Sequence, residues 1–332
     1  MSTGTATSAS VPLTIALANF DRHLPFFLGW LPPAEGFHLQ ALDVGMSSLG
    51  RDGIDRHGRM LRDAEFDIAE VSLASYIMAK ARGAAFTAVP VFPRRLFSAN
   101  HIYVKAGNGI ETPADLRGRR VAIRGWQVSL SVLAKGDLKT RHGVDWQDIH
   151  WIVEGAEQVA FADPRVRLEA MPAGARGAQL LLDGAVDAYI DPRPPRAVLE
   201  GQGGIRPLFI DQRRECLDYF AQRRCFPAMH VLAIRDDVAQ RFAHLPQYLL
   251  EAWADAQHKT RHAYEDYAYT AMPLGRLAWQ QSSADFGDGL FAAGLAANRD
   301  NLAWFIDYLV DQALLAAPIA VEQLFHPSVL HS

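Results

Sequence analysis

Two stretches of similar flavour, FSANHIYVKA (97–106) and FPAMHVLAIRDD (226–237), each set one histidine, His101 and His230, in an apolar, strand-like run. Imidazole titrates nearest to neutral pH, so two histidines on segments that cross between domains could exchange protons with a small ligand. The alternative for His230 is a core histidine satisfied by hydrogen bonds between the lobes. A third stretch, FDIAEVSLASYIMAKARG (66–83), runs an apolar strand straight into a helix and gathers Glu70, Ser72, Ser75 and Tyr76 at the junction. Free N–H groups at a helix start favour an anion. The turn is therefore expected to hold a carboxylate or a phenol, with Ser72 also placed to cap the helix. His258 and His262 stand four residues apart in HKTRHAYED with Glu265 and Asp266 beyond, a spacing that could hold zinc. A solvated helix face accounts for the same pattern, and no metal is assigned there.

The elements that must position these residues alternate between strand and helix. LTIALANF (13–20), FHLQALDV (37–44), FDIAEVS and FTAVPVFP (86–93) read as strands, with helices over GIDRHGRMLRDAE (53–65) and LASYIMAKARG. In the first helix Ile54, Met60 and Leu61 share a face. A second series follows from about residue 107. It comprises a helix opening at TPADLRG, the strand RRVAIRG, a helix over 128–141, the strands IHWIVEG and VRLEAM, the helix GAQLLLDG and the strand AVDAYIDP. Apolar residues at helical spacing then mark 245–268 and 298–315, helices expected to pack back on the first unit. Alternation of this kind is the signature of α/β sheets. If 97–106 and 226–237 are one outward and one returning crossover, the second domain is an insertion in the first. The first lobe is then 12–104 with 228–332, and the second is 105–227.

Composition narrows the function classes. A chain of 332 residues with 49% apolar and 21% charged residues is a folded globular protein, long enough for two domains. Its 33 Lys and Arg against 37 Asp and Glu leave a formal charge of −4 without long runs of one sign, which argues against nucleic acid or an anionic membrane as partner. No apolar stretch approaches the roughly 20 residues of a membrane span. The N-terminal residues lack a basic segment followed by an apolar core, so a cytoplasmic location is expected. Residues 1–11 are Ser/Thr/Ala-rich and expected to fray. Cys216 and Cys225 are too few for a disulfide scaffold and are expected to be reduced. The glycine groups GARG and GQGG match no phosphate-loop spacing.

The stretches EFDIAEVSLASYIMAKARG, AVPVFPRRLF, IYVKAG, ETPADLRGRRVAI, GVDWQDIHWI, DAYIDPRPP, FPAMHVLAIRDDV and GLAANRDNLAWFIDYLVDQAL resemble, in matching order, the 4,5-dihydroxyphthalate decarboxylase family. The resemblance implies a two-lobed α/β fold similar to type 2 periplasmic solute-binding proteins, with a ligand cleft between lobes joined by two crossing strands. It implies a decarboxylase of a hydroxylated aromatic dicarboxylic acid, with a small carboxylic acid as ligand and no cofactor. His230 in FPAMH matches the family's motif histidine and would be the general acid/base. Arg95 in FPRRLF and Arg193 in DPRPP match family arginines and would clamp carboxylates, with Arg94 as a surface neighbour; solvated loop cations are the alternative for both. Ser72, Ser75, Tyr76, Trp126 and Gln127 would line the pocket.

Two departures bear on the substrate. Where the family shows an Arg-His-Ser run this chain has SAN at 98–100, with His101 after it; two residues apart on a strand share a face, so His101 is expected to replace the lost histidine as a second titrating group. RGWQVSL (124–130) stands where the family tends to have Glu-Tyr-Gln, which puts Gly125 and Trp126 in place of the acid and the aromatic residue while Gln127 keeps its position. A related aromatic or cyclic acid therefore fits as well as 4,5-dihydroxyphthalate. A small-acid binding protein or sensor using the same cleft without chemistry is the alternative to an enzyme. Composition leaves a homo-oligomer open.

Overall fold

The computed structural model describes residues 10–45, 55–287 and 289–332, so residues 1–9 and Ile54 lie outside the described residues. Its strands fall into two sheets. In chain order they are β1 (Val11–Leu17), β2 (Phe37–Asp43), β3 (Ile68–Ser72), β4 (Phe86–Val89), β5 (Ile102–Lys105), β6 (Arg120–Ile123), β7 (His150–Val153), β8 (Leu168–Ala170), β9 (Ala188–Ile190), β10 (Ile205–Pro207) and β11 (His230–Arg235). The first sheet has the order β2-β1-β3-β11-β4 and the second β10-β5-β9-β6-β7-β8.

Within the first sheet β1, β2 and β3 run parallel, and β11 returns antiparallel between β3 and β4. Central β3 is buried along its whole length, as its Ile-Ala-Glu-Val-Ser sequence requires at every position except Glu70 and Ser72. In the second sheet β6 runs parallel to β7 and β9, while β5 is antiparallel to β9 and β10. The carboxyl ends of the parallel strands bring Ala18 and Ser72 from one sheet, and Arg124 and Asp191 from the other, to the place where α/β sheets bind ligands.

Residues 94–96, just ahead of the first expected crossover, pair with the start of the second. Met229 N–H donates to the Arg94 carbonyl at 2.8 Å, Leu96 N–H to the Pro227 carbonyl at 3.1 Å, and Arg95 faces Ala228 in an isolated antiparallel bridge. Three expectations change here. Residues 98–101 form a 3-10 turn rather than a strand, so His101 ends a turn instead of lying on a strand face. Residues 102–105 hydrogen-bond into the second sheet, so that sheet begins inside the segment assigned to the first lobe. TPADLRG forms a single 3-10 turn, Pro113–Leu116, closed by a Thr112–Asp115 capping box.

The C-terminal third does more than return to the first lobe. The helix Leu245–Ala263 packs on the first sheet through Leu249, Trp253 and Ala256. The helix Arg299–Asp311 lies instead against Ser129–His142 of the second lobe, where Gly136 leaves the space that the Tyr308 ring fills. Trp126 Nε1 donates to the Gln312 carbonyl at 3.1 Å and Lys139 pairs with Asp311 at 2.6 Å. No helix of the described residues is long and apolar enough to cross a membrane.

Candidate active site

Register explains how a buried carboxylate meets a histidine. His230 lies opposite Ser72 across the β3–β11 pair, and Glu70, two residues back on β3, shares the face of Ser72. The His230 ring spans that diagonal, and Nδ1 lies 2.5 Å from Glu70 Oε1. Glu70 Oε2 accepts from the Ala18 N–H at 2.8 Å and pairs with Arg56 at 3.1 Å. Arg56 is itself held by the Glu70 and Val44 carbonyls at 2.9 and 2.7 Å. A fully buried carboxylate is costly unless so paired. Burial pushes its pKa up, but Arg56 and the hydrogen bond from His230 outweigh that and hold it well below the usual carboxylate range.

An anionic Glu70 can only accept, so the network assigns the proton of neutral His230 to Nδ1 and leaves the Nε2 lone pair unshared. Burial lowers the His230 pKa to about 4, with Glu70 opposing and Arg94 and Arg56 assisting. A second imidazole stands against it. His57 lies edge-on to His230 with ring centroids 4.8 Å apart, and its Nδ1 accepts the Ser72 N–H at 3.1 Å. The proton of neutral His57 is thereby assigned to Nε2. Burial first, then the neighbouring His230 and the charge of Arg56, hold it well below the ordinary histidine value. The pair offers one free lone pair and one free N–H, side by side.

Adjacent residues on an extended segment point opposite ways, and here the two neighbouring arginines have different surroundings. Arg95 is buried and tied down by the Phe226 carbonyl at 2.6 Å, the Ala292 carbonyl at 3.1 Å and Asn298 Oδ1 at 2.5 Å. It clamps the crossover to the C-terminal segment. Arg94 faces the other way, where burial and the charges of Arg22 and Arg56 lower its pKa while Glu70 and Asp191, from opposite lobes, raise it. His101 stands just before β5, where the chain enters the second sheet; burial and Arg94 bring its pKa down to about 4 against Asp191, and its Nδ1 has no hydrogen-bond partner. Arg94 thus lies within electrostatic reach of both His101 and His230. Asp191, buried, accepts from Tyr189 Oη at 2.7 Å and from the Arg193 N–H at 2.8 Å, with Arg193 Nε at 3.5 Å and Arg124 Nε at 3.9 Å.

The remaining expected residues have polar atoms engaged within the fold. Ser72 does not cap its own helix; its Oγ lies 2.9 Å from Ser129 Oγ of the second lobe, and Ser129 accepts the Ala74 N–H in its stead at 3.1 Å. Ser75 donates to Gln158 at 2.8 Å, and Tyr76, fully buried, donates to the Leu324 carbonyl at 2.5 Å. Trp126 is buried beneath the Lys135 ammonium, and the Gln127 amide clasps Val159 through both its nitrogen and its oxygen. These five hold the lobes and loops around the cleft. Among the described residues no group of three His, Cys, Asp or Glu side chains could hold a metal, and His262 pairs with Glu265 in solvent.

From the sequence His57 and Arg56 carried no site role, Arg94 was only a surface neighbour of the expected clamp, and Glu70 was only one of the polar groups of the turn. For Glu70 a signal exists, because a lone carboxylate in the middle of a buried strand has to be paired. For His57 there is none, since its place depends on how its short helix, Arg56–Leu61, lies against β3.

A family model described as NMT1/THI5 like matches residues 59–189. The chain is 30% identical to the 4,5-dihydroxyphthalate decarboxylase of Comamonas testosteroni over 334 aligned positions, covering 98% of this chain and 99% of that one. It is 30% identical to the enzyme of the same name from Pseudomonas putida over 216 positions, 63% of this chain and 81% of that one. The periplasmic aliphatic sulphonate binding protein SsuA of Escherichia coli shares the fold, with a TM-score of 0.53 and 17% identity across 97% of this chain and 99% of that one. The two-lobed α/β architecture is that of periplasmic solute-binding proteins, and by sequence the chain belongs to the 4,5-dihydroxyphthalate decarboxylase family.

Proposed function

We propose that this chain decarboxylates a hydroxylated aromatic dicarboxylic acid, of the 4,5-dihydroxyphthalate type or a close relative, in the cleft between its lobes. The observation that carries the reading is the Glu70–His230 pair beside His57, with Arg94 facing the same space. Non-oxidative decarboxylation breaks the bond between ring carbon and carboxylate, leaves the electron pair on the ring carbon, releases CO2 and places one proton on that carbon. The proton comes from solvent by way of His230.

In the ligand-free cleft His230 is neutral, held so by burial and by Arg94 and Arg56. A dianionic substrate lying against Arg94 offsets those positive charges and favours the imidazolium, which Glu70 stabilises through Nδ1. His230 then protonates the ring carbon from Nε2 as CO2 departs. The His57 Nε2–H donates to a substrate oxygen and fixes the ring's orientation. Arg94 from the crossover and Arg193 from the second lobe hold carboxylates, and His101, next to Arg94 and Asp191, is a second titrating group on the far wall. This assignment moves the first clamp from Arg95 to Arg94.

The test is incubation of the purified chain with 4,5-dihydroxyphthalate and a panel of aromatic acids, with CO2 and ring products followed together. Catalytic turnover with stoichiometric CO2 and ring product supports the enzyme. A ligand recovered intact at one equivalent per chain would identify a binding protein instead.

A further inference from the structure

We propose that the first lobe carries a second binding site, separate from the cleft, for an aromatic compound bearing a carbonyl or carboxylate oxygen. The helices Leu245–Ala263 and Gly275–Phe286, with Gly287 and residues 289–294, border a cavity of about 900 Å³. That volume lies within the range of small-molecule pockets, roughly 300–1,000 Å³. Its walls include Leu250, Trp253, Trp279, Leu290 and Phe291, so an apolar ring system is the body they suit.

The polar groups decide what the ring must carry. Trp253 is 1% exposed and its Nε1–H has no hydrogen-bond partner; the Nε2 of Gln257, one helical turn later, is buried and equally unpartnered. Both line the cavity from one helix face. Two donors without an acceptor call for a ligand that supplies one, since a buried donor is normally matched. Asp21, the carboxylate in the wall, accepts from Tyr264 Oη at 2.6 Å and pairs with Arg22, and neither donor hydrogen-bonds to it. Arg22 forms the partition towards the cleft. Its guanidinium lies between the rings of Phe20 and Phe291, at 4.4 and 4.7 Å, and its Nε is fixed on the Pro93 carbonyl at 2.8 Å. None of His57, Glu70, Arg94, His101 and His230 lines the cavity.

The experiment is calorimetric titration of the full chain with 2-naphthoate. Saturable binding at this site is expected to weaken at least tenfold in Ala278→Trp and in Ala254→Trp, two exposed lining positions where a larger side chain fills the cavity without disturbing the core. Trp253→Phe, which keeps the ring and removes the donor, is expected to weaken binding several-fold, while Arg94→Gln in the cleft changes it less than twofold. Absence of saturable binding to the unaltered chain at millimolar 2-naphthoate would overturn the proposal. So would affinity that both filling variants leave intact and Arg94→Gln abolishes.

Discussion

His230 Nδ1 and Glu70 Oε1 lie 2.5 Å apart on neighbouring antiparallel strands, and this one contact settles which nitrogen of His230 faces the cleft. The carboxylate takes the Nδ1 proton as partner, so Nε2 is presented to whatever lies beyond. Glu70 is in turn held by Arg56 and the Ala18 N–H, a network with each charge answered.

Removing the charge of Glu70 leaves Arg56 buried without its anion. Glu70→Gln is expected to lower stability by about 3–5 kcal/mol, read from urea unfolding, and to reduce turnover in whatever fraction stays folded. A variant as stable as the parent would show that the network does not hold this part of the fold together.

His230→Asn keeps a polar side chain of smaller size and removes the titrating nitrogen. Turnover of the substrate identified by product analysis is expected to fall by roughly 10²- to 10⁴-fold with a modest change in KM. Near-full activity would take His230 out of the mechanism.

Substrate-coupled protonation has its own signature. With the non-hydroxylated dicarboxylate phthalate near pH 6.5, titrations in buffers of different ionisation enthalpy are expected to show net proton uptake on binding. The sign follows from the His230 pKa of about 4 in the ligand-free cleft, which a bound dianion raises. Uptake undiminished in His230→Asn would place the titrating group elsewhere.

Arg94 and Arg95 are neighbours in sequence with opposite expected phenotypes. Arg94→Gln should weaken binding of aromatic dicarboxylates at least tenfold, measured by titration, with little loss of stability. Arg95→Gln should instead cost roughly 1.5–3 kcal/mol of stability from its charged hydrogen bonds, because Asn298 and two carbonyls lose their partner. Exchanged phenotypes would restore Arg95 as the clamp.

Acid should unfold the chain early. His23 and His230 each have a pKa of about 4 in the fold, against 6.5 in an ordinary histidine, chiefly because burial disfavours the charged form. Between those values the unfolded chain binds more protons than the folded one, so stability falls as pH drops from about 6.5 towards 4. Each imidazole contributes at most roughly 3 kcal/mol to that fall. A flat unfolding free energy from pH 7 to 4.5 would contradict the burial of these rings.

Much of the fold was legible along the chain. Alternating apolar strands and helices announced two α/β units, because backbone periodicity is a local property, whereas the pairing at the crossover is made by residues 94–96 and not by 97–106. Helix Gln212–Arg223 and helix Gly275–Phe286 were missed, their apolar faces being too weak to mark them. The site was less legible. The expectation that His230 lies near a ligand rests on its motif, but its partner Glu70 lies 160 residues away and meets it through strand register. Which of Arg94 and Arg95 faces the cleft depends on the phase of one extended segment, and His57 reaches His230 only through the packing of a short helix. Residue types and local periodicity are written in sequence; the pairing of buried charges is decided by contacts between distant segments, where a shift of one residue turns a side chain from the cleft to the core.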